Sequence, residues 1–274
     1  MPRFALAAAV ILALSGTAAM AADLPVSVAA GPPPPWPRTW DWNGFYGGIN
    51  AGFSFGRARD TWNIPTLSVT GEDAEKFSGP LGGIQAGWNW QYSVFLVGFE
   101  ADIDFGAEKA KQATFNSAFT TPTTIPVQGT VSVTHSGTIN WFGTVGGRFG
   151  VALGPALFYG TGGLAWAAGK EHVAGTATNA GDGSTAVLIQ PSSLNPIMLG
   201  WTAGGGAEVA FCNNWTVRAE YLFADLGTTR RGFITQGAFA VQGTTLIPAG
   251  LGTVSMRTTD NIVRLGLNYK FAPF

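Results

Sequence analysis

The sequence predicts an all-β fold on three observations. Eight segments alternate apolar and polar residues with a period of two, which places successive side chains on opposite faces of a β-strand. Charged residues make up only 11% of the chain, against roughly 25% in soluble domains, so the outer wall must face something other than water. Short and long connections also follow each other in strict alternation. These features together predict an eight-stranded antiparallel transmembrane β-barrel.

The first residues have the pattern of an export signal. A positive charge precedes an apolar run at residues 4–14, and residues 19–21 form a small-x-small cleavage site. We expect cleavage between Ala21 and Ala22, which makes residues 1–21 a signal peptide. A membrane anchor is the alternative, but the run is too short to cross a hydrocarbon core of ~30 Å. The chain is therefore expected to be exported.

A proline-rich segment, residues 22–43, separates the signal from the barrel domain at residues 44–274. Its run "AGPPPPWPRTW" is either a semi-rigid polyproline spacer or a featureless tail. We expect this segment in the periplasm, where peptidoglycan is one expected contact.

Composition removes two other features from consideration. Cys212 is the only cysteine, so the chain cannot form an internal disulfide. The net charge is −1 and no basic patch stands out, so nucleic acid is not an expected partner.

The predicted strands follow the proline-rich segment in order. They cover residues 45–56, 81–92, 94–105, 139–153, 156–168, 197–211, 215–226 and 261–271. Each exceeds the usual length of about 5–6 residues and could cross a bilayer when tilted. The fifth strand is apolar on both parities, so its two faces stay unassigned. Glycine pairs within the strands suit a small, sharply curved barrel.

The connections between the strands predict the orientation. Three are short, at residues 92–93, 154–155 and 213–214, and four are long and polar, at about 58–80, 106–138, 169–196 and 227–260. Long structureless loops argue against a compact soluble domain. They are usual in outer-membrane barrels, which have short periplasmic turns and long extracellular loops. The sequence therefore predicts four long extracellular loops and both termini in the periplasm.

The two faces of the predicted strands differ in chemistry. One parity is apolar, and the other holds a group of charges that we expect to line the lumen: Glu100, Asp102, Asp104, Arg148, Glu208, Arg218, Glu220 and Arg264. In a soluble β-sandwich, these charges would form the solvated face instead. Aromatic residues at the turn-side strand ends favour the barrel, since they resemble an interfacial girdle: Trp88, Trp90, Tyr92, Trp215, Tyr269 and Phe271.

The strand order predicts ion pairs within the lumen. Pairing Phe211 with Trp215 across the turn places Glu208 opposite Arg218. By the same reasoning, we expect Glu220 near Arg264 and Glu100 near Arg148. Such pairs would fill an eight-stranded barrel, whose interior is only wide enough for side chains.

The last strand predicts an assembly signal. It alternates without a break through Val263, Leu265, Leu267, Tyr269 and Phe271. This resembles the C-terminal signature of bacterial outer-membrane barrels, which their assembly machinery recognises. In that pattern the terminal residue is usually Phe itself, whereas here residues 272–274 follow as a short overhang. Either Phe271 or Phe274 could serve as the signal.

Several segments resemble the RopB-type small outer-membrane proteins of rhizobia and brucellae, also called the 25/31-kilodalton family. They are "AADLP", "WNGFYGGINAGFSFG", "GWTAGGGAEVAFCNNWTVRAEYLFADLG" and "NIVRLGLNYKF". The resemblance covers the mature chain and implies an eight-stranded, porin-like barrel in the cell outer membrane. It supplies no catalytic residues and no cofactor.

The sequence leaves three functions to compare. The first is a structural envelope protein that contacts outer-membrane lipids and presents loops at the surface. The second is a porin-like passive diffusion channel, and loop binding of a ligand such as haem, suggested for some relatives, is a further alternative. An enzyme is not expected, because His135 and His172 fall in predicted surface loops and no G-x-S-x-G motif is nearby.

Overall fold

A computed structural model describes residues 40–110, 112–121, 127–194, 197–236, 238–241, 244–247 and 249–271. The predicted signal peptide with its cleavage site, most of the proline-rich segment, and residues 272–274 lie outside the described residues. Of the described residues, almost all lie in β-strands. Among them, no helix is long and apolar enough to cross a membrane.

Twelve strands are described. They are β1 Gly44–Ile64, β2 Val69–Tyr92, β3 Phe95–Ala110, β4 Ala113–Thr120, β5 Gln128–Leu153, β6 Ala156–Asn179, β7 Thr185–Leu194, β8 Ile197–Cys212, β9 Trp215–Thr235, β10 Ala238–Val241, β11 Thr244–Ile247 and β12 Gly250–Lys270. A short 3₁₀ helix, Pro65–Leu67, joins β1 to β2.

Eight of these strands form a closed antiparallel ring in the order β1-β2-β3-β5-β6-β8-β9-β12. The ring closes where β12 pairs with β1, with Val263 opposite Phe53 and Asn268 opposite Gly48. Closure leaves the ring of eight strands without an open edge, so its backbone hydrogen bonds are satisfied within the sheet, as a lipid environment requires. β4 and β7 lie at the two ends of the sheet, outside this ring. The predicted eight-stranded barrel is confirmed.

The three predicted short turns join β2 to β3, β5 to β6 and β8 to β9. Each contains a residue with a left-handed backbone: Ser93 at φ 55°, Gly154 at φ 62° and Asn213 at φ 39°. Gly and Asn adopt this conformation readily. At the last turn Cys212, rather than Phe211, pairs with Trp215, because a bulge shifts the register by one residue there.

The strands extend much further than the sequence predicts. Most residues of the four predicted long loops are strand, and β1 and β2 stay paired as far as Ile64 opposite Val69. β4 continues the path of β3 along β5, since Lys109 faces Thr138 and Ala113 faces His135. In the same way β7 leads into β8 along β6. The barrel wall therefore continues well beyond the predicted strand ends.

Exposed apolar side chains form a belt around the turn-side half of the barrel. They include Phe45, Ile49, Phe53, Ile84, Phe95, Phe99, Phe105, Phe149, Phe158, Leu164, Leu199, Trp201, Val217, Val263 and Leu265. The segments that carry this apolar belt, about residues 45–55, 82–105, 143–166, 197–225 and 261–271, span the membrane. We call the wall beyond them the outer extension.

In the outer extension the polarity of the two faces is reversed. Outward positions such as Arg57, Arg59 and Lys76 are charged and exposed. Inward positions such as Trp62 and Val131 are fully buried in an apolar core. This reversal explains why the sequence of these segments looks like polar loops: the apolar residues face the interior rather than lipid.

The fifth predicted strand, part of β6, now has assigned faces. Leu157, Tyr159 and Ala165 are buried inside the barrel, whereas Phe158 and Leu164 are exposed to the lipid side. The interior side chains form an apolar layer at the turn end, and a second apolar layer lies beneath the outer extension. Between these two layers lies the polar interior described next.

Candidate functional site: the buried charge network

The structure places all eight predicted lumen charges in the barrel interior, and none is more than 7% exposed. They come from β3, β5, β8, β9 and β12, and all lie on the parity opposite the apolar belt. A solvated face would expose these side chains. Their burial, together with the closed ring, excludes the alternative of a soluble sandwich.

Arg264 is the centre of the network. Its Nε donates to Glu220 at 2.6 Å, and its Nη1 donates to Asp104 at 3.0 Å. Its Nη2 donates to Asp102 at 3.0 Å and lies 3.8 Å from Glu100. Glu220 is on the neighbouring strand, as expected, but the other three acids are on β3, across the lumen. One guanidinium therefore links strands on opposite sides of the barrel.

Glu208 lies opposite Arg218 in the β8–β9 pair, as the sequence predicts. The ion pairs that these two residues form nevertheless differ from the predicted one. Arg218 donates from Nη1 to Glu100 at 2.5 Å, and its Nη2 lies 3.8 Å from Glu220. Glu208 accepts a hydrogen bond from Arg148 at 3.0 Å instead. In so narrow a barrel, a long arginine reaches the far wall as easily as its neighbour.

Arg148 joins the network to two tyrosines. Its Nη2 binds Glu208, and its Nη1 donates to the Tyr46 hydroxyl at 2.8 Å and lies 3.4 Å from Glu100. Its guanidinium carbon lies 4.4 Å from the centroid of the Tyr159 ring, an attractive cation–π arrangement. The expected contact between Glu100 and Arg148 is thus present, although it is the longest of the three polar contacts that the Arg148 guanidinium makes.

Two tyrosines in the network were missing from the sequence expectation. The Tyr46 hydroxyl donates to Glu100 at 2.5 Å, and the Tyr159 hydroxyl donates to Glu220 at 2.9 Å. The parity of β1 could have revealed Tyr46, because it alternates with the lipid-facing Phe45. Tyr159 could not be assigned, because both parities of its strand are apolar.

The network contains five carboxylates and three guanidinium groups, an excess of two acids. Neutral donors compensate for part of this excess. Thr144 donates to Asp102 at 2.5 Å, Thr216 donates to Glu208 at 2.5 Å, and Asn268 donates to Glu208 at 2.9 Å. Such charge-assisted hydrogen bonds are about twice as strong as neutral ones.

The predicted assembly signal lies on the lipid-facing side of β12. Val263 and Leu265 are exposed, and the backbone N–H of Phe271 donates to the carbonyl of Phe45 at 2.9 Å, so pairing continues to that residue. Tyr269 packs against the Phe271 ring at 5.2 Å and the Trp215 ring at 5.1 Å. These rings form part of an aromatic rim at the turn end of the barrel.

The expectation that both histidines are solvated loop residues is wrong. His135 lies in β5 and is 2% exposed, whereas His172 is exposed on β6. His135 is inward-facing because the outer extension is strand, not loop. Burial alone would lower the pKa of His135, but the neighbouring Asp60 carboxylate raises it above its ordinary value. Burial raises the pKa of Glu75, in the same group, to about 7.

Comparisons with known proteins agree with this architecture. The family model of the outer membrane protein β-barrel domain matches residues 7–271. The 31 kDa outer-membrane immunogenic protein of Brucella melitensis biotype 1 is 34% identical over 95% of this chain and 97% of its own length. The 22 kDa outer membrane protein of Rhizobium leguminosarum is 25% identical over 84% of this chain and 78% of its own length.

Among solved structures, the outer membrane protease OmpT of Escherichia coli is similar with a TM-score of 0.45 and 8% identity, over 84% of this chain and 97% of that chain. That likeness is too remote to support any conclusion about activity. The family model and the Brucella relative are decisive: this chain is an integral protein of the cell outer membrane and belongs to the outer membrane protein β-barrel family.

Proposed function

We propose that this protein is a closed structural barrel, which strengthens the outer membrane and carries a folded β-extension at the cell surface. The observation that carries the proposal is the burial of the charge network. Because no member is more than 7% exposed, water hardly reaches these side chains. A lumen filled in this way supports a structural role over a diffusion channel.

The apolar layers on either side of the network support the same proposal. Trp42, Leu96, Ala152 and Leu157 pack together at the turn end. On the other side lie Phe77, Leu81, Ile139, Phe142, Met198, Leu222 and Ile262, all buried. A hydrated ion would have to pass two apolar layers and one layer of bonded charges. Each of these three layers opposes the passive diffusion of ions through the barrel.

Outer-membrane lipids are the partner that the outer surface fits best. A band of exposed cations lies just beyond the apolar belt: Arg57, Arg59, Lys76, Lys109, Lys170, Arg230 and Arg257. Arg57 and Lys76 are directly opposite each other on β1 and β2. Cations at this height meet the phosphate groups of lipid headgroups, each with roughly 1 kcal/mol of attraction. We call these residues the basic band.

At the other end of the barrel, two further contacts belong to the proposal. The terminal strand exposes Val263 and Leu265 to the lipid side, which supports its recognition by the outer-membrane assembly machinery. The proline-rich segment, residues 22–43, precedes β1 and would emerge on the periplasmic side, where peptidoglycan lies. We assign no catalysis: Asp60 and His135 are close together but only 2% exposed, so a substrate would not reach them.

Single-channel recording in planar lipid bilayers tests the proposal. The purified wild-type barrel should insert without producing stable conductance steps, because its lumen is filled. A larger porin, inserted in the same bilayer, provides the positive control for fusion and detection. Large, long-lived open channels from the wild-type protein would instead establish the porin-like alternative. A change in the haem absorption spectrum on titration would add a ligand-binding role to the outer extension.

A further inference from the structure

Three strands bring a histidine and two carboxylates together inside the outer extension. Asp60 comes from β1, Glu75 from β2 and His135 from β5, and their ligand-type atoms all lie within 4.8 Å of one another. His135 Nε2 is 2.8 Å from Asp60 Oδ2 and 3.7 Å from Glu75 Oε2. In the ring, β3 and its continuation β4 separate β2 from β5. The group therefore connects parts of the wall that do not pair directly.

These side chains are buried, yet several of their polar atoms have no hydrogen-bond partner. Asp60 and His135 are 2% exposed and Glu75 is 8% exposed. Asp60 Oδ1, Glu75 Oε2 and both ring nitrogens of His135 make no hydrogen bond. His135 Nε2 and Asp60 Oδ2 form an ion pair at 2.8 Å, but this contact leaves Asp60 Oδ1 and His135 Nδ1 without partners. Buried polar atoms normally have partners, so this group requires an explanation.

The charges around this group favour the binding of a cation. Asp73 lies directly opposite Asp60 on the neighbouring strand, and Glu171 is buried close to both Asp60 and Glu75. Like charges that face each other across a strand pair are destabilising. His135 and Arg231 are the positive groups that act most strongly on Glu75 and Glu171, and Lys170 lines the same cavity as these two carboxyl groups. The four carboxyl groups therefore outnumber these three positive groups.

We propose that Asp60, Glu75 and His135 bind one divalent transition-metal ion, with zinc as the best fit. An imidazole with carboxylates suits zinc, whereas magnesium and calcium prefer oxygen ligands alone. Ligand atoms about 2.1 Å from a tetrahedral ion are about 3.4 Å apart, so the 2.8 Å and 3.7 Å separations require only small shifts. A water could complete the coordination. The ion would join β1, β2 and β5 inside the outer extension.

A small cavity adjoins the group. A cavity of about 40 Å³ is lined by Glu75 and Glu171 together with Ile139, Met198 and Met256. A space of this size can hold a water molecule or a partly hydrated ion. The site lies in the outer extension, apart from the charge network within the membrane. It therefore does not depend on whether the barrel conducts.

The test uses the full chain, without an affinity tag, extracted from outer membranes and stripped of metal with a chelator. Zinc binding is measured by calorimetry and by metal analysis after dialysis, for wild type and for the D60N, E75Q, H135Q and H172Q variants. His172 is the matched control, because it is exposed on the outer face of the adjacent strand β6. Electrophoretic mobility with and without heating verifies that each variant is a folded barrel.

We expect wild type and H172Q to bind one zinc ion per chain, and the other three variants to bind it more than about 10-fold more weakly. Cobalt should give a visible absorption band with wild type that H135Q lacks, and calcium should not compete. The proposal is overturned if folded wild type and folded H172Q take up no zinc. In that case protonation of the carboxyl groups accounts for the charge balance. Binding by H135Q as tight as wild type would also overturn it.

Discussion

Arg264 and Glu220 are cross-strand partners on β12 and β9, and the guanidinium Nε donates to the carboxylate at 2.6 Å. Both side chains are at most 4% exposed. The pair is held from the other side of the lumen as well, because Arg264 also binds Asp102 and Asp104 on β3. A cross-strand contact and a contact across the lumen therefore share one side chain.

The first prediction concerns Arg264→Ala. The change leaves the carboxylates of Glu220, Asp102 and Asp104 without their main counter-charge in a buried site. Breaking a buried ion pair costs about 3–5 kcal/mol, so we expect a loss of that order in the free energy of unfolding. The measurement is urea unfolding of the barrel in lipid vesicles. The bilayer leak should rise as well, since the side chain that bridges the lumen is gone.

Arg257→Ala is the matched control for this change. Arg257 also binds a carboxylate, Asp225 at 2.7 Å, but its side chain is 62% exposed. Exposed ion pairs contribute at most about 1 kcal/mol. If both variants lose the same stability, the charge network does not hold the barrel together as described.

The second prediction separates the tyrosine hydroxyl from the rest of the network. Tyr46 donates to Glu100 and accepts from Arg148, so Tyr46→Phe leaves both charged groups with one partner fewer. Hydrogen bonds to charged groups contribute about 1.5–3 kcal/mol, and we expect unfolding to become easier by that amount. Tyr92→Phe serves as control, because Tyr92 is 86% exposed at a turn. A Tyr46→Phe barrel with wild-type stability would contradict the assigned hydrogen bonds.

A third prediction concerns the glycines of the wall. Gly163 on β6 faces Gly146 on β5, and a Cβ on Gly163 would lie 2.1 Å from the carbonyl oxygen of Val145. Gly163→Ala should therefore push the two strands apart and cost about 1–3 kcal/mol. At Gly160 on the same strand, the nearest atom to an added Cβ is 3.7 Å away, so Gly160→Ala should be tolerated. A folded barrel changes its mobility on a gel when it is heated. The fraction of folded barrel measured in this way is compared between Gly163→Ala and Gly160→Ala.

Much of the fold follows from sequence because the two-residue period fixes the face of each side chain. That period correctly placed Glu208, Arg218 and Arg264 on the inward parity, and turn positions gave the register between neighbouring strands. Ion-pair partners were harder to predict. Arg218 binds Glu100, 118 positions earlier in the chain, and strand order alone cannot say which far-wall residue lies at the same height. Period and turns specify neighbours, whereas contacts across the lumen depend on barrel width and strand tilt.

The outer extension could not be recognised for a different reason. Its residues alternate, but the apolar parity there faces inward, opposite to the membrane-spanning part. The lipid-facing parity becomes polar after Phe55, so the sequence pattern predicts the end of the strand there. Bulges and breaks add to this, as at Ile139 to Trp141, where the pairing between β5 and β6 shifts. The prediction of His135 in a surface loop is wrong for the same reason, because this residue lies in β5.

The last prediction tests the outer extension directly, through Trp62. This side chain is fully buried, with its ring centroid 5.6 Å from that of His135 and 6.0 Å from that of Phe233. Trp62→Ala removes the largest residue of the apolar core there, a change that typically costs about 3–5 kcal/mol. The membrane-spanning strands have their own interior contacts, so the loss should remain local to the extension.

Hydrogen exchange measured by mass spectrometry distinguishes a folded extension from flexible loops. In wild type, the amides of residues 56–64 and 69–81 should be protected, because β1 and β2 remain paired along these stretches. Trp62→Ala should speed their exchange by about 100-fold or more, because the loss of core packing lowers the free energy needed to open these strands locally. Amides of the membrane-spanning part should not change. Asn63→Ala, at the adjacent exposed position, should leave both regions protected, and rapid exchange in wild type would mean that these segments are loops after all.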